Sequence, residues 1–120
     1  AELSEELSQL ATNGDDFSSK LHQYIFENIG NRQFSIEQLA ELMFMSKETL
    51  RRKCKQLTNL STAAYINLLR IQQAKLLLTD QQLNVSEVAY AVGFDSLAYF
   101  SKNYKKHYGV SPSSILTYQY

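Results

Sequence analysis

Apolar residues in this chain recur every three to four positions, the interval of a helix face, and no stretch alternates long enough to make a convincing strand. Leu3, Leu7 and Leu10 open the pattern, which stops at Asn13-Gly14. Phe17, Leu21, Tyr24, Ile25 and Ile29 predict a helix over 17–29, with Asp15 or Asp16 as its cap and Gly30-Asn31 as its stop. Ser35-Ile36-Glu37-Gln38 reads as a capping box and begins a helix to about residue 43 that buries Ile36, Leu39, Ala40 and Met43. Ser46 caps the next helix, whose inner stripe is Leu50, Cys54 and Leu57 and whose outer face is Lys47, Glu48, Arg51, Arg52 and Lys55. Asn59 and Ser61 mark a stop and a start. The helix that follows, 62–79, is apolar over too wide an arc for one partner, so it is expected to pack against both of its flanks. Asn84, with Glu87 three residues on, caps a helix built on Val85, Val88, Ala89 and Val92. Gly93 then supplies a tight turn. A helix over about 96–107 turns Phe100 and Tyr104 inward and Ala98, Lys102, Lys105 and Lys106 outward. Ser111-Pro112 is a start signal for one more short helix.

The pattern repeats. Residues 36–61 return in degenerate form at 85–111: Leu39-Ala40 corresponds to Val88-Ala89 at an offset of 49. After one extra residue near Asp95, Leu50 corresponds to Phe100, Cys54 to Tyr104 and Ser61 to Ser111 at an offset of 50. Each copy is a short amphipathic helix, a tight turn and a second helix with a polar outer face, the helix-turn-helix pattern. The expected fold is all-α: two helix-turn-helix subdomains (about 35–57 and 85–107) joined by a long helix (about 62–79), about seven helices in all. Residues 1–14 form a linker or interdomain segment ahead of a domain over 15–118.

Charge changes this picture more than composition does. The 120 residues carry a formal net charge of zero, which by itself speaks against nucleic acid. The charge is nevertheless divided: residues 1–46 hold eight acidic and two basic side chains, and residues 47–120 hold ten basic and four acidic. Such asymmetry is a cue for contact with nucleic acid, although on a single helix charge is more often a solvated face. The lone cysteine, Cys54, excludes an internal disulfide and suits a reducing cytoplasm; on its apolar stripe it reads as a small core residue. No run approaches the length of a membrane span. The absence of an initial methionine suggests a piece of something longer.

On the outer faces, Arg51 and Arg52 can each pair with guanine O6 and N7, a contact that discriminates between bases by roughly 1–3 kcal/mol. Glu48 can accept from cytosine N4 or orient an arginine. Leu97, Ala98 and Tyr99 can touch thymine methyls or sugars, with Leu97 slightly better placed for the core, and Lys102 can reach a base or a phosphate. Lys105 and Lys106 are phosphate contacts, which position without specifying; Lys47 and Lys55 join the same interface. The arginine-bearing copy is expected to read sequence more sharply than the lysine-bearing one. A linking helix of about 27 Å, with side chains and turns added, can hold two recognition helices near successive major grooves, one turn of DNA being about 34 Å.

The strings S-I-E-Q-L-A and M-S-K-E-T-L-x-R-K, R-I-x-x-A-K-x-L-L at 70–78, V-x-x-V-A-x-x-V-G-F at 85–94 and Y-F-S-K-x-Y-K-K-x-Y-G-V-S-P at 99–112 resemble the AraC/XylS-type DNA-binding domain over about 17–118. The resemblance implies the output domain of a bacterial transcription regulator. Its partners would be double-stranded promoter DNA, RNA polymerase and an upstream sensory or dimerisation part outside this chain. Base contacts would fall on Glu48, Arg51 and Arg52, then on Leu97, Ala98 and Lys102. The run R-R-K-C-K-Q-L-T-N-L-S also resembles versions fused to hybrid two-component sensors. The chain would be cytoplasmic, or membrane-anchored through such a sensor. Two departures stand out: Phe44 where the family often has Gly, and Cys54 where a large apolar residue is common.

An enzyme is not expected. Of the two histidines, His22 sits in a helical stretch with no evident partner and His107 ends a basic helix; one cysteine cannot build a Cys/His metal site, and no phosphate-binding Gly-rich loop occurs, so no cofactor and no metal are assigned. The competing reading is a helical protein-interaction module that docks through the acidic N-terminal half without binding DNA.

Overall fold

Helix caps divide the chain as the polar punctuation suggests. The computed structural model describes residues 16–80 and 83–114. Among these there are six helices: α1 is helical over 16–27, followed by α2 (Ile36–Leu42), α3 (Lys47–Thr58), α4 (Thr62–Thr79), α5 (Val85–Ala91) and α6 (Leu97–Tyr108). Ser35 and Asn84 each complete a reciprocal capping box, with Gln38 and Glu87 respectively. Ser46, Ser61 and Ser96 each accept a backbone N–H of the following first turn, and each such cap stabilises its helix by about 1 kcal/mol. Asn59 and Gly109 end α3 and α6 in the left-handed conformation, each donating its N–H back to the preceding turn.

α4 carries two buried faces in series. Thr62, Tyr65, Ile66 and Leu69 in its first half are buried on one side, and Ile71, Ala74 and Leu78 in its second half on the other. At about 100° per residue these sets point in nearly opposite directions. Tyr65, Ile66 and Leu69 join a core with Leu21, Ile25, Leu39, Leu50 and Cys54. Ile71, Ala74 and Leu78 join a second core with Val88, Val92, Phe94, Phe100 and Tyr104. The wide apolar arc therefore does serve both flanks.

The two cores solve one packing problem differently. Cys54 and Tyr104 occupy equivalent places, both buried. The first unit replaces the missing volume with α1, through Leu21 and Ile25. Among the described residues, the second unit fills the corresponding space with stacked aromatics: Phe94 lies edge-on to Phe100 at 5.3 Å, and Phe100 and Tyr104 are 5.8 Å apart.

Several expectations need correcting. Leu57 is not in the core but 45% exposed; the chain turns back at Asn59, and Leu60 packs on the core instead. His22 does have a partner, since its Nε2 and the Tyr65 hydroxyl share a hydrogen bond, and burial pushes the Tyr65 pKa up. Asp16 lies within α1 and pairs with Lys20 at 3.5 Å rather than capping the helix. Asp15 and the segment 1–14 lie outside the described residues, as does most of the short helix expected after Pro112, of which only a turn and one helical residue are described.

Candidate nucleic-acid interface

α3 and α6 are each pinned from below by two buried residues at the same spacing, Leu50 and Cys54 in one, Phe100 and Tyr104 in the other. Whatever stands opposite that pair faces outward. On α3 these are Glu48, Arg52 and Lys55, and at an offset of 50 on α6 they are Ala98, Lys102 and Lys105; all six are exposed. Arg51, also exposed, sits on the flank that borders a cleft of about 160 Å³ between α3 and the start of α4, together with Lys47, Glu48 and Thr62. Its equivalent on α6, Ser101, is half-buried.

The remaining sequence-assigned residues are exposed but differently engaged. Lys47 donates to Glu37 Oε1 at 2.9 Å. That bond and the lysine charge hold the Glu37 carboxyl below its ordinary range, and the carboxylate in turn raises Lys47. Lys55 donates to the Asn59 carbonyl at 3.1 Å, satisfying a group at the helix end. Leu97, expected to lean toward the core, is 37% exposed because it occupies the first position of α6, as Lys47 does in α3. Tyr99 is half-exposed; its ring lies against Phe94, and its hydroxyl accepts from Asn67 Nδ2 of α4 at 3.2 Å. Lys53 lies on the other flank of α3, with its ammonium over the Phe17 ring, 5.5 Å from the centroid.

Sequence reasoning missed one feature. Between α4 and α6 runs an open groove of about 650 Å³ bordered by Asn67, Tyr99, Asn103, Lys106 and His107. Asn67 was its only available signal, a polar side chain in an otherwise apolar stretch of α4. Lys106 faces this groove, unlike Lys102 and Lys105. No cluster of three metal-ligating side chains occurs among the described residues, and no helix among them is long and apolar enough to cross a membrane.

The arrangement is two exposed helix faces at equivalent positions, both carrying cationic side chains, joined through one connecting helix. Comparison with known proteins bears on the family and the fold. A helix-turn-helix domain family model matches residues 39–117. Over 94 residues, 78% of this chain, the sequence is 33% identical to histidine kinase P4 of Formosa agariphila, of which the match covers 7%. Over 93 residues it is 35% identical to the arabinose operon regulatory protein of Salmonella typhimurium, covering 33% of that protein. The chain thus spans a third or less of the length of these curated relatives. Among solved structures, the C-terminal domain of AraT, a response regulator from Geobacillus stearothermophilus, superposes with a TM-score of 0.74 at 31% identity over 82% of each chain. The DNA-binding domain of AdpA, solved with a target DNA, superposes with a TM-score of 0.77 at 27% identity, covering 84% of this chain and 91% of that one.

Proposed function

This chain belongs to the AraC-type helix-turn-helix family of DNA-binding transcription-regulator domains, and from that premise we propose that α3 and α6 enter successive major grooves of one duplex and read it together. The observation that carries this reading is the equivalence of the two outer faces, Glu48, Arg52 and Lys55 against Ala98, Lys102 and Lys105, each held over its own core. Arg52 stands directly opposite the buried pair and is the first choice for a bidentate contact to guanine; Glu48 one turn earlier accepts from cytosine or steadies it. Arg51 reaches a base or the backbone from the cleft side. Ala98 and Leu97 offer apolar contact to a thymine methyl, and Lys102 a base or phosphate contact. Lys47, Lys55, Lys105 and Lys106 neutralise phosphates, and Tyr99, its hydroxyl engaged by Asn67, packs on a sugar or phosphate.

In this reading the chain is an output domain and does no chemistry of its own. An upstream sensory or dimerisation part supplies the signal, and RNA polymerase is the further partner. The match within a histidine kinase makes a hybrid two-component protein a fitting parent, with this domain on the cytoplasmic side.

Selection of bound duplexes from a random pool tests the proposal. Enriched sequences should contain two half-sites about one helical turn apart, and affinity should fall steeply with salt. No enrichment, together with no binding at low salt, sinks the reading in favour of a protein-interaction module.

A further inference from the structure

The two units touch at a place other than α4. The loop after α1 lies directly against the end of α5 and the turn that follows it. A Cβ at Gly30 would sit 2.8 Å from the Ala91 carbonyl oxygen, and one at Gly93 would sit 2.4 Å from the Ile29 carbonyl oxygen. Both distances are shorter than a real contact allows, so each glycine is what lets two backbones from different units meet. Arg70, on α4 where its buried face changes sides, fills the seam. It is 9% exposed, and its Nη2 donates to the Asn31 carbonyl at 3.1 Å. On the other side its guanidinium occupies the space above Gly93, where a Cβ would lie 2.9 Å from Nε and 3.0 Å from Cζ. Arg32 closes the outer edge, 4.0 Å from Asp95 and over the Tyr90 ring at 5.8 Å. Burial pushes the Arg70 pKa down while Asp95 opposes the shift.

We propose that Arg70 is a positioning residue: it joins the loop over residues 29–32 of the first unit to the α5–α6 turn of the second, and so fixes the relative orientation of the two recognition helices and hence the half-site spacing the chain accepts. Each unit has its own core, so each keeps its fold when the seam is loosened. What is lost is the register between them. A fixed register makes binding of the second helix effectively intramolecular, and a loose one dilutes that advantage. Buried charge without a complete set of partners is also costly to keep: Arg70 Nε has no protein acceptor. A leucine or methionine would serve as well for packing alone, whereas the forked guanidinium spans two units at once.

This inference rests on the proposed reading of DNA, and the experiment separates the two. Spin labels placed through Gln56→Cys and Lys105→Cys, with the fully buried Cys54 left in place, report the distance between α3 and α6 in the absence of DNA. Arg70→Met should broaden that distance distribution while leaving helix content and amide protection within each core as in the unsubstituted chain. Arg70→Lys, which keeps one donor but loses the fork, should give an intermediate width. Binding is measured in parallel with unlabelled protein on the selected duplex, on variants with one base pair inserted or deleted between half-sites, and on a single half-site. Arg70→Met should bind the optimal duplex about tenfold more weakly, discriminate less among spacings and bind the single half-site unchanged. An unchanged distance distribution overturns the seam. A broadened distribution in a protein that does not bind DNA at all upholds the seam and overturns the DNA reading instead. If Arg70→Met does not fold, Gly93→Ala and the exposed pair Arg32→Ala with Asp95→Ala attack the same contact from its other sides, and wild-type widths in both would equally overturn it.

Discussion

Two residues at one equivalent position show how context sets the requirement for glycine. Phe44 and Gly93 both occupy the turn of a helix-turn-helix with positive φ, 55° and 96°. At 93 a side chain would collide with the Ile29 carbonyl and with Arg70. At 44 the side chain points into solvent, 95% exposed, so only backbone strain opposes it. A non-glycine residue in the left-handed region costs about 1–2 kcal/mol, partly offset by the greater freedom glycine has when unfolded. Phe44→Gly should therefore stabilise the fold by about 0.5–1 kcal/mol in urea unfolding. Gly93→Ala should destabilise it by about 2 kcal/mol or more, the sum of strain and a clash that one of two backbones must yield to. Equal effects at the two sites would contradict this account. Lys47 makes a second residue-scale case. Its partner Glu37 has a lowered pKa, so the pair is complete above the ordinary carboxylate range and is lost as pH falls through the lowered folded value. NMR titration of the Glu37 carboxyl should give a midpoint below that of an unpaired glutamate, and Lys47→Met should move it up. Glu37→Gln frees Lys47 for phosphate, and the slope of log affinity against log salt should steepen by about 0.9.

At the scale of elements, α3 and α6 share a scaffold and differ in chemistry. Both begin at a serine cap and both end in a left-handed residue, so Ser46→Ala and Ser96→Ala should each cost about 1 kcal/mol of stability. Their outer faces should respond differently on DNA. Arg52→Ala should relax base preference at one position by roughly 1–3 kcal/mol in a competition between selected and altered duplexes. Lys106→Ala, whose side chain borders the groove rather than the outermost face, should weaken all duplexes alike. Identical profiles for the two variants would remove the distinction between reading and positioning residues. The elements were largely legible in the sequence, because caps, glycines and the 3.6-residue period are local signals. Leu57 escaped because periodicity gives the direction of a side chain and not whether anything lies there to cover it. Leu97 escaped for the related reason that a first-turn residue overhangs the core.

Across the whole molecule, α4 couples two cores whose other members are far apart in sequence. Truncating one of the large buried aromatics of the second core, Phe100→Ala, should cost about 3–5 kcal/mol. Hydrogen exchange should localise the loss to α5, α6 and the second half of α4, with smaller change around Leu21, Leu39 and Leu50, since those belong to the other core. Uniform loss of protection across both units would mean that they do not hold their folds separately.

The sequence by itself determined α2 to α5 with their caps, the positions of α1 and α6, the duplication and the family, all of which depend on residues near one another in the chain or on fixed offsets. It also placed the cationic faces, because a face opposite a buried pair is set by helical geometry alone. Only the tertiary structure decided what those faces are aligned to. The partner of His22, the engagement of Tyr99 by Asn67 and the seam at Arg70 each join residues more than thirty positions apart. No local pattern encodes such pairs, since they form only when two separately specified units are brought together on one helix.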